Sequence, residues 1–317
     1  MKKGHICVAV VQASPILFDK QSSLDKIASK TKEAAELGAN LVVFPEVFLP
    51  GYPRGLNFGT RVGSRSTNGR KDWGRYWENA IDVPGMETDV LGELARETGV
   101  YLVIGIVERD QEFSRGTLYN SIVYIGPDGN VLGKHRKLVP TGSERLLWGQ
   151  GDGSTLTVID TPFGRIGGLI CWENYMPLAR TAMYSQGIDI LITPTADARD
   201  TWQATIQHIA CEGRCFVVSC NQFVTKDSYP TDLACYEDIK EDPDILSRGG
   251  SAIVGPLGEY IVEPLYNQEG ILVSDLDLSL VTQSRYDFDV VGHYSRPDVF
   301  QLIVNHQKQS IVRHSNS

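Results

Sequence analysis

Apolar and polar positions follow two rhythms along this chain, and the rhythm switches at nearly regular intervals. Residues 5–12 read as a buried strand, while Leu24, Ile27, Ala28, Thr31 and Ala35 recur at the spacing of a helix that Gly38 stops. Strand character returns at 40–44, helical spacing at 86–98, and strand character again at 100–108 and 118–125. Pro127-Asp128-Gly129-Asn130 predicts a hairpin turn whose return strand carries Lys137. Strands at 155–159 and 165–170 pair about a Pro162-Phe163-Gly164 turn, and a helix follows over about 177–186. A strand at 188–193, a helix over about 201–214 and a strand at 216–221 continue the alternation, and 251–254, 259–262 and 270–273 close it as antiparallel strands.

This alternation predicts an α/β architecture in one domain over residues 1–304, with no internal repeat and no linker. Periodicity alone allows a doubly wound sheet. Two polar stretches, 57–77 and 226–247, are long for connections in one domain and are expected to be loops that act as lids or subunit contacts. Residues 305–317, rich in His, Gln, Ser and Asn, are expected to form a disordered tail.

Composition narrows the function classes. With 317 residues and 42% apolar content the chain can bury a sizeable core. A net charge of −9, and no basic run longer than Lys134-His135-Arg136-Lys137, argue against nucleic acid as a partner. The longest apolar stretches, 6–11 and 166–171, fall far short of a membrane span, and no signal-peptide pattern opens the chain. The expectation is a soluble protein of the cytoplasm. Six cysteines in a chain this long make no dense disulfide framework. Cys211 and Cys215 are four apart, so a helix would put both on one face, as a metal pair would need. With no CxxC pair and only His208 nearby, core packing is the better reading and no metal is expected. Gly164, Gly167 and Gly168 do not make a GxGxxG fingerprint, which argues against a nucleotide site.

The segment Gly167-Gly168-Leu169-Ile170-Cys171-Trp172-Glu173-Asn174 carries the chemistry, because it runs an apolar strand into a cysteine and then into a sequence that can start a helix. A thiol there sits beside unpaired backbone N–H groups, which favour a thiolate and an anionic intermediate. A buried structural thiol is the plainer alternative, but the polar, turn-forming residues after Cys171 count against it. Glu46 closes a second apolar strand behind Phe44-Pro45, a place seldom given to a carboxylate for packing. Lys137 ends a basic run that would ordinarily be solvated. Glu144 stands seven positions later, and from the residues alone an ordinary loop ion pair with Arg145 is as good a reading as a place in the site. His135 reads equally as a surface residue or as a support for Lys137. Glu173 reads as a helix-start charge or as a site contact. Tyr52, Trp172, Thr195 and Trp202 are candidate pocket walls, although Trp202 taken alone reads more readily as core.

FPEVFLPGYPRG (44–55), GKHRKLVPTGSERLLWGQGDG (133–153), GGLICWENYMPLAR (167–180), ITPTADARDTWQ (192–203) and GHYSRPDVF (292–300) together resemble the nitrilase superfamily, and specifically its nitrilase branch. The resemblance spans residues 5 to about 300. It implies a four-layer α-β-β-α sandwich and a site made of Glu46, Lys137 and Cys171, with Glu144 as the second glutamate found in many members. Glu46 would take the thiol proton and Cys171 would attack a nitrile to form a thioimidate, which water converts to a thioester and then to an acid. Lys137 and the Trp172 backbone N–H would bind the tetrahedral intermediate, a type of donor worth roughly 2.7 to 4 kcal/mol each. The resemblance implies no metal or organic cofactor, a small nitrile and water as the reacting partners, and homodimers that stack into spirals. The YPRG string points toward arylaliphatic or aliphatic nitriles. Cyanide hydrolysis, amidase or carbamoylase chemistry with the same residues, and a noncatalytic assembly role are the alternatives. The last would be expected to lack one of Glu46, Lys137 and Cys171, and all three are present.

Overall fold

The computed structural model describes residues 4–310 and 312. In chain order come β1 (His5–Gln12), α1 (Lys20–Glu36), β2 (Leu41–Val43), a short hairpin of β3 (Thr60–Arg61) and β4 (Ser64–Arg65), α2 (Thr67–Asn79) and α3 (Met86–Thr98). Then follow β5 (Tyr101–Arg109), β6 (Leu118–Ile125), β7 (Val131–Arg136), β8 (Val158–Asp160), β9 (Arg165–Gly168) and α4 (Pro177–Tyr184). The rest comprises β10 (Ile190–Thr195), α5 (Asp200–Gly213), β11 (Phe216–Asn221), β12 (Phe223–Thr225), β13 (Ile245–Val254), β14 (Tyr260–Tyr266), β15 (Gly270–Asp277) and α6 (Ser279–Ser284).

Two mixed sheets result. One has the order β15-β1-β2-β5-β6-β7; in the other, β12-β13-β11-β10-β9-β8, β14 also pairs with β13. Strands β1, β2 and β5 run parallel, as do β9, β10 and β11. The period of two along a strand explains why their sequences are apolar without a break. On β1, Ile6, Val8 and Val10 face the cluster between the sheets, where they meet Ile166, Ile192 and Val218 of the other sheet. Ala9 and Val11 point the other way and pack beneath α1 and α3 through Leu24, Ile27, Leu91 and Leu94. On the far side α4 and α5 cover Leu191 and Val217 through Met183, Ile206 and Ile209. The layers are therefore α-β-β-α, as the resemblance implies, and not one doubly wound sheet.

The polar stretch 57–77 departs from expectation: it holds the β3–β4 hairpin and most of α2 rather than a plain loop. Its many polar residues and two glycines hide the helix, whose Ser66 side chain caps it by accepting from the Gly69 N–H. The 226–247 stretch makes two short 3-10 turns, Lys226–Ser228 and Tyr236–Ile239, and the start of β13. The two stretches pack on each other at one end of the sandwich, where the Asp72 carboxylate accepts from the N–H groups of Ala234 and Cys235. Phe58, Tyr76, Tyr229 and Ile239 join Val47 and Trp148 in a cluster there. The expected tail from 305 onward lies, at His306 and Gln309, against the loop at 152–153, with the Gln309 N–H donating to Asp152. Residues 311 and 313–317 of that tail lie outside the described residues.

Candidate active site

Glu46, Cys171 and Thr195 all sit at or just beyond the C-terminal ends of parallel strands, where open α/β sheets leave their crevices. Glu46 follows β2 on a segment laid along β5, with the Phe44 N–H donating to Val103 O and the Leu49 N–H to Gly105 O. Gly105 allows that approach, since a Cβ there would stand 2.2 Å from Pro45 O and 2.5 Å from Val47 N. Val47, beside Glu46, has φ 48°, a strained value for a β-branched residue. The Gln222 amide donates to the Glu46 carbonyl and holds this turn in place.

Lys137 lies one residue beyond β7, its N–H donating to Asn120 O. The strand period divides the basic run. Lys134 and Arg136 turn to the buried Glu108 carboxylate, while His135 and Lys137 point inward and are fully buried. Lys137 Nζ donates to Glu46 Oε1 and to Glu144 Oε2, each at 2.8 Å. Glu46 also accepts from Asn120 Nδ2 at 2.7 Å and from the Ala196 N–H at 2.8 Å. Glu144, in the 3-10 turn Gly142–Leu146, accepts from the Thr141 N–H and, at 2.6 Å, from the Tyr52 hydroxyl. Every oxygen of both carboxylates is thus engaged, which is how buried charge is tolerated.

Cys171 begins the 3-10 turn Cys171–Tyr175 behind β9, at φ 52°. A left-handed cysteine is a strained conformation of the kind that gathers at reactive sites. The Thr195 hydroxyl donates to Cys171 Sγ at 3.2 Å, while Asn174 Nδ2 donates to the Cys171 carbonyl at 2.9 Å. Burial, and next the Glu46 carboxylate, push the thiol well above its ordinary range, and Lys137 and Thr195 pull in the opposite direction. Burial also raises Glu46 above the usual carboxylate range, against the pull of Lys137. Burial works against charge on Lys137, but the Glu46 and Glu144 carboxylates beside it outweigh that and keep the ammonium protonated. At rest the cluster holds a neutral thiol beside an ammonium clamped by two glutamates.

A cavity of about 510 Å³, lined by Tyr52, Arg54, Glu144, Cys171, Trp172 and Asp197 among others, opens this cluster to solvent. A neighbouring cavity of about 420 Å³ shares Tyr52, Arg54 and Glu144 as a common wall. Trp172 is held at the mouth by a 2.9 Å bond from Nε1 to Asp197 and by the Arg199 guanidinium 4.8 Å from its ring centre. Tyr52 and Trp172 therefore line the cavity and Thr195 lies under the thiol.

Trp202 does not join them. It is fully buried in the core between α5 and the second sheet, with Nε1 donating to Ser219 Oγ. The helical spacing turns it away from the cavity. His135 is not a surface residue, and Glu173 turns from the cavity to meet it at 3.0 Å. Three contributors escaped the sequence reading. Asn120 had a visible signal, an amide inside the apolar strand β6; Asp197 and the Ala196 N–H had none, because each acts through a loop placed by the fold.

The sequence matches the carbon-nitrogen hydrolase family over residues 7–286. A protein named aliphatic nitrilase from Sinorhizobium fredii (strain HH103) is 51% identical over 305 residues, covering 96% of this chain and 97% of that protein. A bifunctional nitrilase/nitrile hydratase of Lupinus angustifolius is 50% identical over 299 residues, covering 93% of this chain and 84% of that protein. The carbon-nitrogen hydrolase structure from Helicobacter pylori G27 superposes with a TM-score of 0.74 at 22% identity, covering 94% of this chain and 97% of that one. The C. elegans NitFhit structure gives 0.72 at 21% identity, covering 98% of this chain and 70% of that one. At these identities the two structures establish the fold.

Proposed function

Because the chain belongs to the carbon-nitrogen hydrolase family, we propose that its buried Glu46–Lys137–Glu144 cluster and the adjoining Cys171 carry out nitrile hydrolysis. The protein is a nitrilase, which converts a nitrile and two waters to a carboxylic acid and ammonia. The observation that supports this chemistry best is the ammonium held by two carboxylates beside a strained thiol on a cavity floor.

The resting thiol is neutral, so the first step needs a base. Glu46, whose charge already acts on the sulfur, takes the Sγ proton as Cys171 attacks the nitrile carbon. The nitrile nitrogen gains a proton, giving a thioimidate. Water adds to its carbon, again with Glu46 moving the proton, and the tetrahedral carbon then bears sulfur, OH and NH2. Lys137 and the Trp172 N–H stabilise the charge that develops there. Expulsion of ammonia leaves a thioester, and a second water releases the acid and restores the thiol. Expulsion of sulfur instead would release the amide, the outcome that the name of the lupin relative suggests for a share of turnovers.

The substrates we infer are arylaliphatic or aliphatic nitriles, which suit an aromatic wall of Tyr52 and Trp172 and a cavity of about 510 Å³ far better than hydrogen cyanide does. We further infer one catalytic domain over 1–304, a cytoplasmic location, and a homodimer that stacks into spirals, the last supported by the exposed Tyr286, Phe300 and Ile303 side chains. Among the described residues no helix is long and apolar enough to cross a membrane.

The test is ammonia and product identity from purified protein offered phenylacetonitrile, an aliphatic dinitrile, benzonitrile and cyanide, each organic nitrile paired with its amide. Acid and ammonia from the organic nitriles, lost in Cys171→Ala, is the expected result. Turnover of amides alone would move the chain to amidase chemistry, and silence throughout would favour an assembly role.

A further inference from the structure

The mechanism leaves one buried pair of titratable groups unused. Glu173 and His135 are 1% and 0% exposed, and neither faces the cavity. Glu173 Oε1 accepts from the Leu138 N–H at 2.6 Å, Oε2 accepts from the Ile170 N–H at 2.7 Å, and His135 Nε2 lies 3.0 Å from Oε2. Three groups from two separate segments thus converge on one carboxylate. Two of them, His135 and Leu138, flank Lys137 across the end of β7; the third, Ile170, immediately precedes Cys171.

The imidazole is oriented from its other side too. His135 Nδ1 lies 2.8 Å from Thr155 O, an atom that can only accept, so Nδ1 carries a hydrogen. Nε2 faces a carboxylate, so both ring nitrogens meet acceptors and the ring is an imidazolium. Burial works against this charge, yet Glu173 and the Thr155 carbonyl raise the group above the usual histidine range. The carboxylate and the ring neutralise each other, so the pair adds no net charge to the cluster.

We propose that the Glu173–His135 ion pair is a positioning device that ties the Lys137 strand end to the Cys171 turn, fixing the spacing of ammonium and thiol on which turnover depends. The proposal rests on the nitrilase reading for its chemistry but not for its geometry. Lys137 and Cys171 come from different sheets and no backbone ladder pairs β7 with β9, so the Glu173 bonds add a direct tie between the two segments to the spacing that the packed sheets provide. A displacement of about 1 Å in such an arrangement is enough to cost about a hundredfold in rate.

The experiment compares Glu173→Gln, His135→Gln and the double variant with wild type. Two quantities are read: kcat and KM per burst-titrated site, and the rate of Cys171 alkylation by iodoacetamide followed by intact mass. Each single variant is expected to lower kcat per titrated site by at least about tenfold with KM little changed. Alkylation slows in parallel, and the double variant is no worse than the worse single one, as two halves of one device require. Wild-type kcat and alkylation per site with only a lower melting temperature would overturn the proposal, and so would additive losses in the double variant. Should Glu173→Gln fail to fold, His135→Gln carries the same test, because it leaves the Glu173 bonds to Leu138 and Ile170 in place. Alkylation needs no nitrile, so a wild type silent on every nitrile would count against the nitrilase reading while the positioning test still gave its answer.

Discussion

Thr195 Oγ1 lies 3.2 Å from Cys171 Sγ, so the hydroxyl at the end of β10 donates to the sulfur delivered by its neighbour β9. The same oxygen accepts from the Asp197 N–H, which orients its hydrogen toward the sulfur. Hydrogen bonds to charged groups are worth about 1.5 to 3 kcal/mol, and this one strengthens as the thiol becomes a thiolate. Thr195→Val is therefore expected to lower kcat/KM by about ten- to a hundredfold. Because the lost bond favoured the ionised form, the thiol of the variant titrates higher, and the rate of Cys171 alkylation rises only at more alkaline pH than in wild type. An unchanged alkylation profile would remove Thr195 from the site.

Lys137 neutralises two buried carboxylates, so its removal has a pH signature. Glu46 is already raised above its ordinary value by burial, and without the ammonium it rises further. A group whose folded pKa is raised stabilises the fold at low pH and loses that contribution as pH rises through the folded value. Lys137→Ala is expected to abolish turnover and to cost about 3 to 5 kcal/mol at neutral pH. Its melting-temperature deficit against wild type should widen as pH rises above the ordinary carboxylate range. A deficit that is flat with pH would mean the carboxylates had found other partners.

Among the buried thiols only Cys171 lines the cavity of about 510 Å³, whereas Cys215 and Cys220 pack in the two cores. Burial pushes Cys215 up to about 12, so it stays a thiol at neutral pH. Mass spectrometry of protein quenched during turnover should place the acyl or thioimidate adduct on Cys171 alone, and Cys171→Ala should fold normally and carry none. An adduct on Cys211 or Cys215 would relocate the nucleophile.

Two tryptophans separate packing from binding. Trp202→Ala removes a fully buried indole and the N–H that Ser219 Oγ accepts, at an expected cost of about 3 to 5 kcal/mol. Activity per folded molecule should be retained at low temperature. Trp172 is 40% exposed at the cavity mouth, so Trp172→Ala should raise KM for arylaliphatic nitriles with little change in melting temperature. The reverse pattern would return Trp202 to the pocket.

How far the sequence reached can be judged from particular residues. Alternating periods located nearly every strand and helix, and α3 falls on the expected residues 86–98. They missed α2, because Gly69, Gly74 and a polar face dilute its helical period, and its stability comes from Tyr76 packing against Phe18 and Phe58. The basic run at 134–137 looked solvated because charge density is visible in a sequence and facing is not. Strand geometry sends alternate members to opposite sides, which buried His135 and Lys137 while Lys134 and Arg136 found Glu108.

What the sequence determined by itself is local and chemical: where strands end, which thiol, carboxylate and lysine stand near those ends, and which family the strings resemble. These follow from short-range periodicity and residue type. The tertiary structure decided everything that depends on two distant segments meeting. It brought Lys137 within 2.8 Å of both Glu46 and Glu144, put Thr195 under Cys171, turned Trp202 into the core and joined His135 to Glu173. The physical reason is that a buried charge is tolerated only where its partners converge, and that convergence is set by how two sheets stack, which no local pattern encodes.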